Sequence, residues 1–216
     1  MNNWKHYLLE LIIVISGVTV AFWLSNISES KKENKLERIV LNDLRADLLK
    51  DSASLVRCIN FNKTKVETLK SYINLINSDS DKSQIDSAIQ IIGVIGNYDF
   101  FFSKSFTLSS LLQSGDIKLI RSRSIKKDLL ELRQTYDQVE WLQNNFLQAL
   151  DQNFFPTMYD KIDMINNKAL DPEFIYSVQI LNFALFAAND TNQAVANYEY
   201  TLRLVNNLLE QLPAEE

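Results

Sequence analysis

The stretch YLLELIIVISGVTVAFWLSNI, Tyr7 to Ile27, constrains this chain more than any other. Glu10 is its only formal charge, and Leu11 to Leu24 is interrupted only by Ser16, Gly17 and Thr19. About 20 apolar residues rising 1.5 Å each cross the hydrocarbon core of a bilayer, so the length predicts one membrane-spanning helix. A cleaved secretory signal would need small residues at A-x-A spacing after the run. The run ends instead in Phe22, Trp23 and Leu24, bulky residues suited to a membrane interface. It therefore reads as an uncleaved anchor, with Glu10 about one turn inside the span, where its carboxylate reaches headgroups or pairs with His6. Gly17, Ala21 and Ser25 stand at successive i, i+4 positions, and side chains this small let a second helix approach closely. These three are the candidate transmembrane packing residues; small residues scattered by chance are the alternative.

Beyond the anchor about 190 residues remain, enough for one domain with its own core. Gly is 4 and Pro 3, too few for a turn-rich sandwich or barrel, so long helices are expected. Lys+Arg 22 against Asp+Glu 27 gives a net charge of -5, without the basic surplus of a general nucleic-acid binder. The single cysteine excludes an intrachain disulfide, and Cys58 beside Ile59 reads as a small buried apolar residue.

From Ser28 the sequence turns polar, SESKKENKLER, and apolar residues then recur from Leu41 to Ile76 at spacings of three, four and seven, one face of a helix. Nothing before Asn77 stops it, so residues 28–77 are expected to continue the membrane helix as a stalk and bundle member, unless Asn26, Ser28 and Ser30 break it at the membrane surface. NSDSDKS, Asn77 to Ser83, is a linker. Its Asp79, Asp81 and Ser83 do not make a calcium loop, because Gln84 and Gln90 stand where Gly and Glu are needed. A short helix Ile85 to Ile95 ends at Gly96 and Asn97.

YDFFFSKSF then gathers Phe100, Phe101, Phe102 and Phe106, a candidate aromatic pocket or core, with core favoured because buried rings fill a small bundle. Ser105 is the expected N-cap of a helix Phe106 to Ser114, and Gly115 its left-handed end. The next helix starts near Ser124. Its stripe from Ile125 to Leu150 alternates four and three, with Gln143 the one polar member, and Pro156 should kink or end it near Phe155. Asp171 and Pro172 suggest a helix reaching Ala187, a turn at Ala188 to Asp190, and a last helix ended by Pro213. No strand is expected.

The expected fold is thus all-α: an N-terminal transmembrane helix (1–27), a long stalk and bundle helix (28–77), and an antiparallel helical bundle completed by 78–216, the last two forming one domain. The only histidine, His6, precedes the membrane run, which leaves no His-based metal site and no Ser/His or Cys/His pair in the domain. Gly93 and Gly96 lack the spacing of a phosphate loop. No catalytic residue, cofactor or metal ligand is therefore assigned. A carboxylate pair assembled from separate helices is kept as a third reading, although Asp43, Arg45, Asp47 and Lys50 alternate as on a solvated face. RSRSIKK, Arg121 to Lys127, reads first as a solvated helix start and second as a group for phosphate or lipid headgroups.

Two blocks, YLLELIIVISGVTVAFWLSNISESKKE and SFTLSSLLQSGDIKLIRSRSIKKDLLELRQTY, resemble an uncharacterised family of single-span helical membrane proteins common in Bacteroidetes. Glu10, Gly17, Asn26 and Glu29 to Lys32 carry the first block; the turn Ser114, Gly115, Asp116, then Leu119, Ile120 and Tyr136, carry the second. Trp23 to Ile27 depart from that family's more polar ending. The resemblance implies a bacterial membrane protein with no known activity, and so supplies no catalytic residues to carry over.

The functional expectation is a non-enzymatic, membrane-anchored scaffold or interaction protein, in contact with membrane lipid and partnered by a second copy or another membrane protein. The alternative is an envelope sensor whose bundle binds a ligand and acts through a partner chain. The expected place is the bacterial inner membrane. Lys31, Lys32, Lys35 and Arg38 would hold the trailing side in the cytoplasm by the positive-inside rule; a standing stalk and the ease with which long domains cross favour an extracytoplasmic bundle, and that placement is adopted.

Overall fold

A computed structural model describes residues 3–77, 85–163, 165–166 and 168–213. Helix α1, Asn3–Asn77, is unbroken over 75 residues, about 110 Å at 1.5 Å per residue. Asn26, Ser28 and Ser30 do not interrupt it. Each costs only a few tenths of a kcal/mol in a helix interior, and no proline lies within the segment. The chain continues through α2 (Ile85–Gly96), α3 (Phe106–Ser114), a 3-10 turn (Asp116–Leu119) and α4 (Arg123–Ala149). A π-helical turn (Leu150–Phe154) leads into α5 (Phe155–Tyr159), then strands β1 (Ile162–Asp163) and β2 (Lys168–Ala169), a second 3-10 turn (Pro172–Tyr176) and α6 (Val178–Gln211).

Contacts along α1 give the direction of each member. Lys65 of α1 meets the end of α2, Asp47 meets the start of α3, and Glu37 meets Arg121, so α2 and α3 together descend beside α1. Tyr136 meets Asp51 and the Phe146 ring lies near Lys65, so α4 climbs again. Lys63 pairs with Glu199 at 2.6 Å and Arg45 donates to the Leu209 carbonyl at 2.8 Å, so α6 descends. Successive members therefore alternate in direction, and the second is α2 and α3 joined by an irregular segment, residues 97–105.

The interior divides into two apolar clusters. One joins Leu44, Leu55, Leu108, Leu129, Val205 and Leu208; the other joins Leu69, Ile95, Phe146, Leu150, Ile175 and Ala184. Below Val40 the described side chains of α1 are mostly exposed, so the bundle covers α1 only from about that point upward. Farther down, α1 is long and apolar enough to cross a membrane by length and composition, and none of its most apolar window is buried. Thr19 donates its hydroxyl to the Ile15 carbonyl at 2.8 Å, which satisfies it within the helix.

Several local expectations change. The turn at Ala188 to Asp190 is absent: α6 runs straight through it, because Ala184, Ala187, Ala188 and Thr191 are all buried and that packing outweighs the modest helix cost of Asn189 and Asp190. Its cap is Ser177, which accepts from the Ile180 amide, whereas Asp171 caps only the 3-10 turn through the Glu173 amide. Helix α4 is capped by Ser122, accepting from Ile125. Pro156 does not end the helix; α4 loosens into the π turn, and the proline falls in the first turn of α5, where its missing donor is not needed. The β1–β2 hairpin pairs Ile162 with Ala169 and Asp163 with Lys168, two short strands that a search for alternation misses. Gly115, at φ 78°, ends α3 as expected. Most of the linker after Asn77, with Asp79, Asp81 and Ser83, lies outside the described residues.

Candidate functional site

The inward seam of α1 is Leu44, Leu48, Asp51, Leu55, Cys58, Asn62, Lys65, Leu69 and Tyr72, a strict alternation of four and three. Three of these are polar and yet buried, Asp51 at 0%, Asn62 at 2% and Lys65 at 4% exposure. Burying such groups is costly unless each finds partners. All three find them on the segment that leads from α2 to α3. Asp51 accepts from the Lys104 amide at 2.5 Å and the Ser103 hydroxyl at 3.1 Å, and from the Tyr136 hydroxyl at 2.7 Å. Asn62 donates to the Asp99 carbonyl at 3.0 Å. Lys65 donates to the Ile95 and Asn97 carbonyls at 3.2 and 2.8 Å and stands 3.6 Å from the centre of the Tyr98 ring.

The opposite side supplies the rest. Gln143 of α4 accepts from the Phe101 amide and donates to the Phe101 carbonyl, at 2.9 and 3.0 Å, as a neighbouring strand would, and it accepts from Tyr198 at 2.5 Å. Asp47 accepts from both the amide and the hydroxyl of Thr107. The N-terminal cap of α3 is thus Asp47 from another helix, while Ser105, at the expected position, makes no side-chain cap. Asp47 and Asp51 are buried members of the bundle and correct the expectation that the acids of this region form a solvated face.

These surroundings fix the electrostatics. Burial raises the Asp51 carboxyl above its ordinary range, opposed by the Lys104 amide and the Tyr136 and Ser103 hydroxyls. Burial pushes the Lys65 amine down to about 7, opposed by the charge of Asp190. Asp51, Asn62 and Lys65 each hold backbone between Ile95 and Lys104, most of it without a helix or sheet of its own, and the geometry leaves the Asp51 carboxylate facing protein donors. Chemically the arrangement is a clamp for residues 97–105. Among the described residues no group of three His, Cys, Asp or Glu side chains is placed to hold a metal.

The aromatic candidates separate. Phe101 is core, packed on Tyr136 and Tyr198 with ring centres 5.5 and 6.4 Å away. Phe100 stacks on Tyr98 at 4.8 Å beside a cavity of about 20 Å³ that also touches Asp190 and Thr191, room for about one water. The Tyr98 and Thr191 hydroxyls are buried there without a hydrogen-bond partner. Phe102 and Phe106, by contrast, are 64% and 74% exposed. Together with Arg133, Asp137 and Glu140 they line an open groove of about 270 Å³. The four rings therefore form neither one core nor one pocket.

Gly17, Ala21 and Ser25 are exposed along α1, and a Cβ built on Gly17 meets nothing within 4 Å. The basic group after α3 is tied to α1: the Arg121 amide donates to Glu37 at 2.6 Å, and its guanidinium reaches Asn34, Glu33 and Glu37. Sequence reasoning missed the clamp, although the signal was present, since Asp51, Asn62 and Lys65 interrupt an otherwise apolar heptad seam.

No curated protein and no solved structure matches the chain. Residues 10–147 match the family of unknown function DUF6090, a span that holds most of α1, the clamp and nearly all of α4. The chain belongs to that family.

Proposed function

We propose that the protein is a non-enzymatic, membrane-anchored helical scaffold of the bacterial inner membrane, held by a single span and acting through protein contacts. The observation that carries this reading is the continuity of α1: the exposed apolar residues from Ile13 to Leu24 and the seam from Leu44 to Tyr72 lie on one unbroken helix. A displacement of the bundle is thereby transmitted to the membrane without a hinge. Asp51, Asn62, Lys65 and Gln143 are each engaged with backbone of the segment between α2 and α3 or its edges, which favours a structural rather than a chemical use of them. The groove with Phe102 and Phe106 on its wall offers an apolar docking face, and Gly17, Ala21 and Ser25 offer a contact between copies in the bilayer. The partners in this reading are membrane lipid and a second copy or another membrane protein.

An extracytoplasmic bundle is part of the same reading. It rests on the ability of long domains to cross despite flanking charge, and the bases after the apolar run oppose it. Protease protection of a C-terminal tag in intact and opened cells decides between the two sides. Self-association is tested by sedimentation of the full chain in detergent micelles: Gly17→Leu with Ala21→Leu should weaken the dimer about tenfold or more, whereas an unchanged monomer in both forms overturns the contact between copies. The envelope-sensor reading is favoured by one feature, the open groove of about 270 Å³, just below the usual size of a ligand site.

A further inference from the structure

The membrane-proximal end of the bundle is unlike the rest of the chain in charge. Arg121 binds Asn34 and Glu37, so the turn between α3 and α4 sits at that level of α1. Glu37 lies ten residues beyond Ile27, about 15 Å at 1.5 Å per residue, and Asn34 about 10 Å. A headgroup layer extends roughly 5–7 Å beyond the hydrocarbon, and charge is felt across a further 8 Å or so at physiological salt. The turn is the part of the folded bundle that comes lowest along α1, because α6 ends higher, where Leu209 and Leu212 meet Arg45.

What the fold brings to that level is basic. Lys118, Arg123 and Lys127 are exposed there, with Lys126 half-buried between them. On α1 the same level carries Lys31, Lys32 and Lys35. Of the nearby acids, Glu33 and Glu37 are engaged by Arg121; Glu29, Asp116 and Asp128 keep their charge, the last accepting only from the neutral Gln211 amide at 2.8 Å, and the bases still outnumber them. This local excess of bases stands in a chain whose net charge is -5; because Glu33, Asn34 and Glu37 face the turn, Lys31, Lys32 and Lys35 fall on the other side of α1, and the bases ring the helix at one level. The two basic segments are separated by about 80 residues of sequence and are brought to one level by the Arg121 contacts with α1 and the packing of Ile117 and Ile120 with Val40 and Leu44.

We infer that this collar, Lys31, Lys32 and Lys35 of α1 with Lys118, Arg123 and Lys127 of the turn, binds anionic phospholipid headgroups and seats the bundle on the membrane surface. The inference rests on α1 being membrane-spanning and goes beyond it: an anchor alone leaves the bundle free to stand off, whereas a collar presses its lower end to the lipid.

The test uses the full chain, with Ser124→Cys carrying a fluorophore, in phosphatidylcholine vesicles with or without about 30% phosphatidylglycerol and a headgroup-attached quencher. Native Cys58 is buried and stays unlabelled. Quenching should rise at least about twofold with the anionic lipid at low salt, and return to the neutral-lipid level at 0.5 M NaCl, as expected of a screened surface contact. The variant K118E/R123E/K127E should show the neutral-lipid level throughout. Resistance to carbonate extraction is measured on the same samples. A protein that stays inserted but is quenched equally in both lipids overturns the collar alone. A protein that is extracted by carbonate overturns the membrane reading and the collar with it.

Discussion

Residues 11–24 and residues 44–72 of α1 belong to the same unbroken helix and meet opposite surroundings. In the lower stretch Leu11, Val14, Val18 and Phe22 are exposed on every side, and none of the described residues covers them. In the upper stretch most of the apolar residues gather along one side, where α2, α3, α4 and α6 bury them, and only Leu49, Val56 and Phe61 among the large ones stay exposed. The difference lies in pattern rather than in helix-forming tendency: a helix apolar all round needs an apolar solvent, while one with a single stripe needs a neighbour. The upper stretch adds what the lower lacks, buried polar residues with assigned partners, and these decide where the irregular segment 97–105 lies.

The contrast breaks most visibly by truncation. Leu55→Ala, at a fully buried position of the upper stretch, should lower the unfolding free energy of the bundle by about 2–5 kcal/mol, as read from denaturant unfolding of the full chain. Val18→Ala in the lower stretch should leave it within about 0.5 kcal/mol. Equal losses would mean that the lower stretch is covered by the bundle after all.

A second substitution sharpens the role of the polar seam. Asp51→Ala leaves the Lys104 amide and the Ser103 and Tyr136 hydroxyls without their acceptor, at a cost of about 2–3 kcal/mol, and hydrogen exchange at residues 101–105 should accelerate ahead of that in α4. Uniform acceleration across the bundle would place Asp51 in the general core instead of at the clamp.

The smallest effect is one of pH. Lys65 has its amine at about 7 in the fold against an ordinary value of about 10.4 in the unfolded chain. Between those values the unfolded chain binds more protons, so stability rises with pH across that window, and the penalty for burying the charge is fully present below pH 7. The rise is about 2 kcal/mol between pH 7 and pH 9, so the thermal midpoint should be higher at pH 9 by roughly 4–8 °C. Lys65→Met should flatten that rise, and an unaltered rise would assign it to another group.

Much of the helical fold was legible in local pattern. The apolar run, the unbroken α1, the Gly115 stop and the stripe of α4 all follow from spacing and from single residues with strong backbone preferences. What was not legible depended on distance in sequence. The cap of α3 comes from Asp47, 60 residues earlier, so no local motif announces it. Ala188, Asn189 and Asp190 look like a turn until α1 and α4 bury the alanines beside them. The aromatic cluster was readable as a cluster but not as a division between core and surface, because that division is made by Gln143 gripping the backbone of Phe101. Composition marked the absence of familiar catalytic patterns but had no means of placing Asp51 or Lys65 within the clamp.

The central claim is that one helix leaves the bilayer and enters the bundle core without a break. Single cysteines placed along α1 from residue 13 to residue 39, in the full chain in native membranes, read it directly through their reaction with a membrane-impermeant maleimide. The account predicts protection at positions 13 to 24 and reaction at the exposed positions from 28 to 39, with buried Cys58 unreactive until the protein is denatured. Ready labelling at Ile15 and Val20 positions in sealed and opened membranes alike would contradict it.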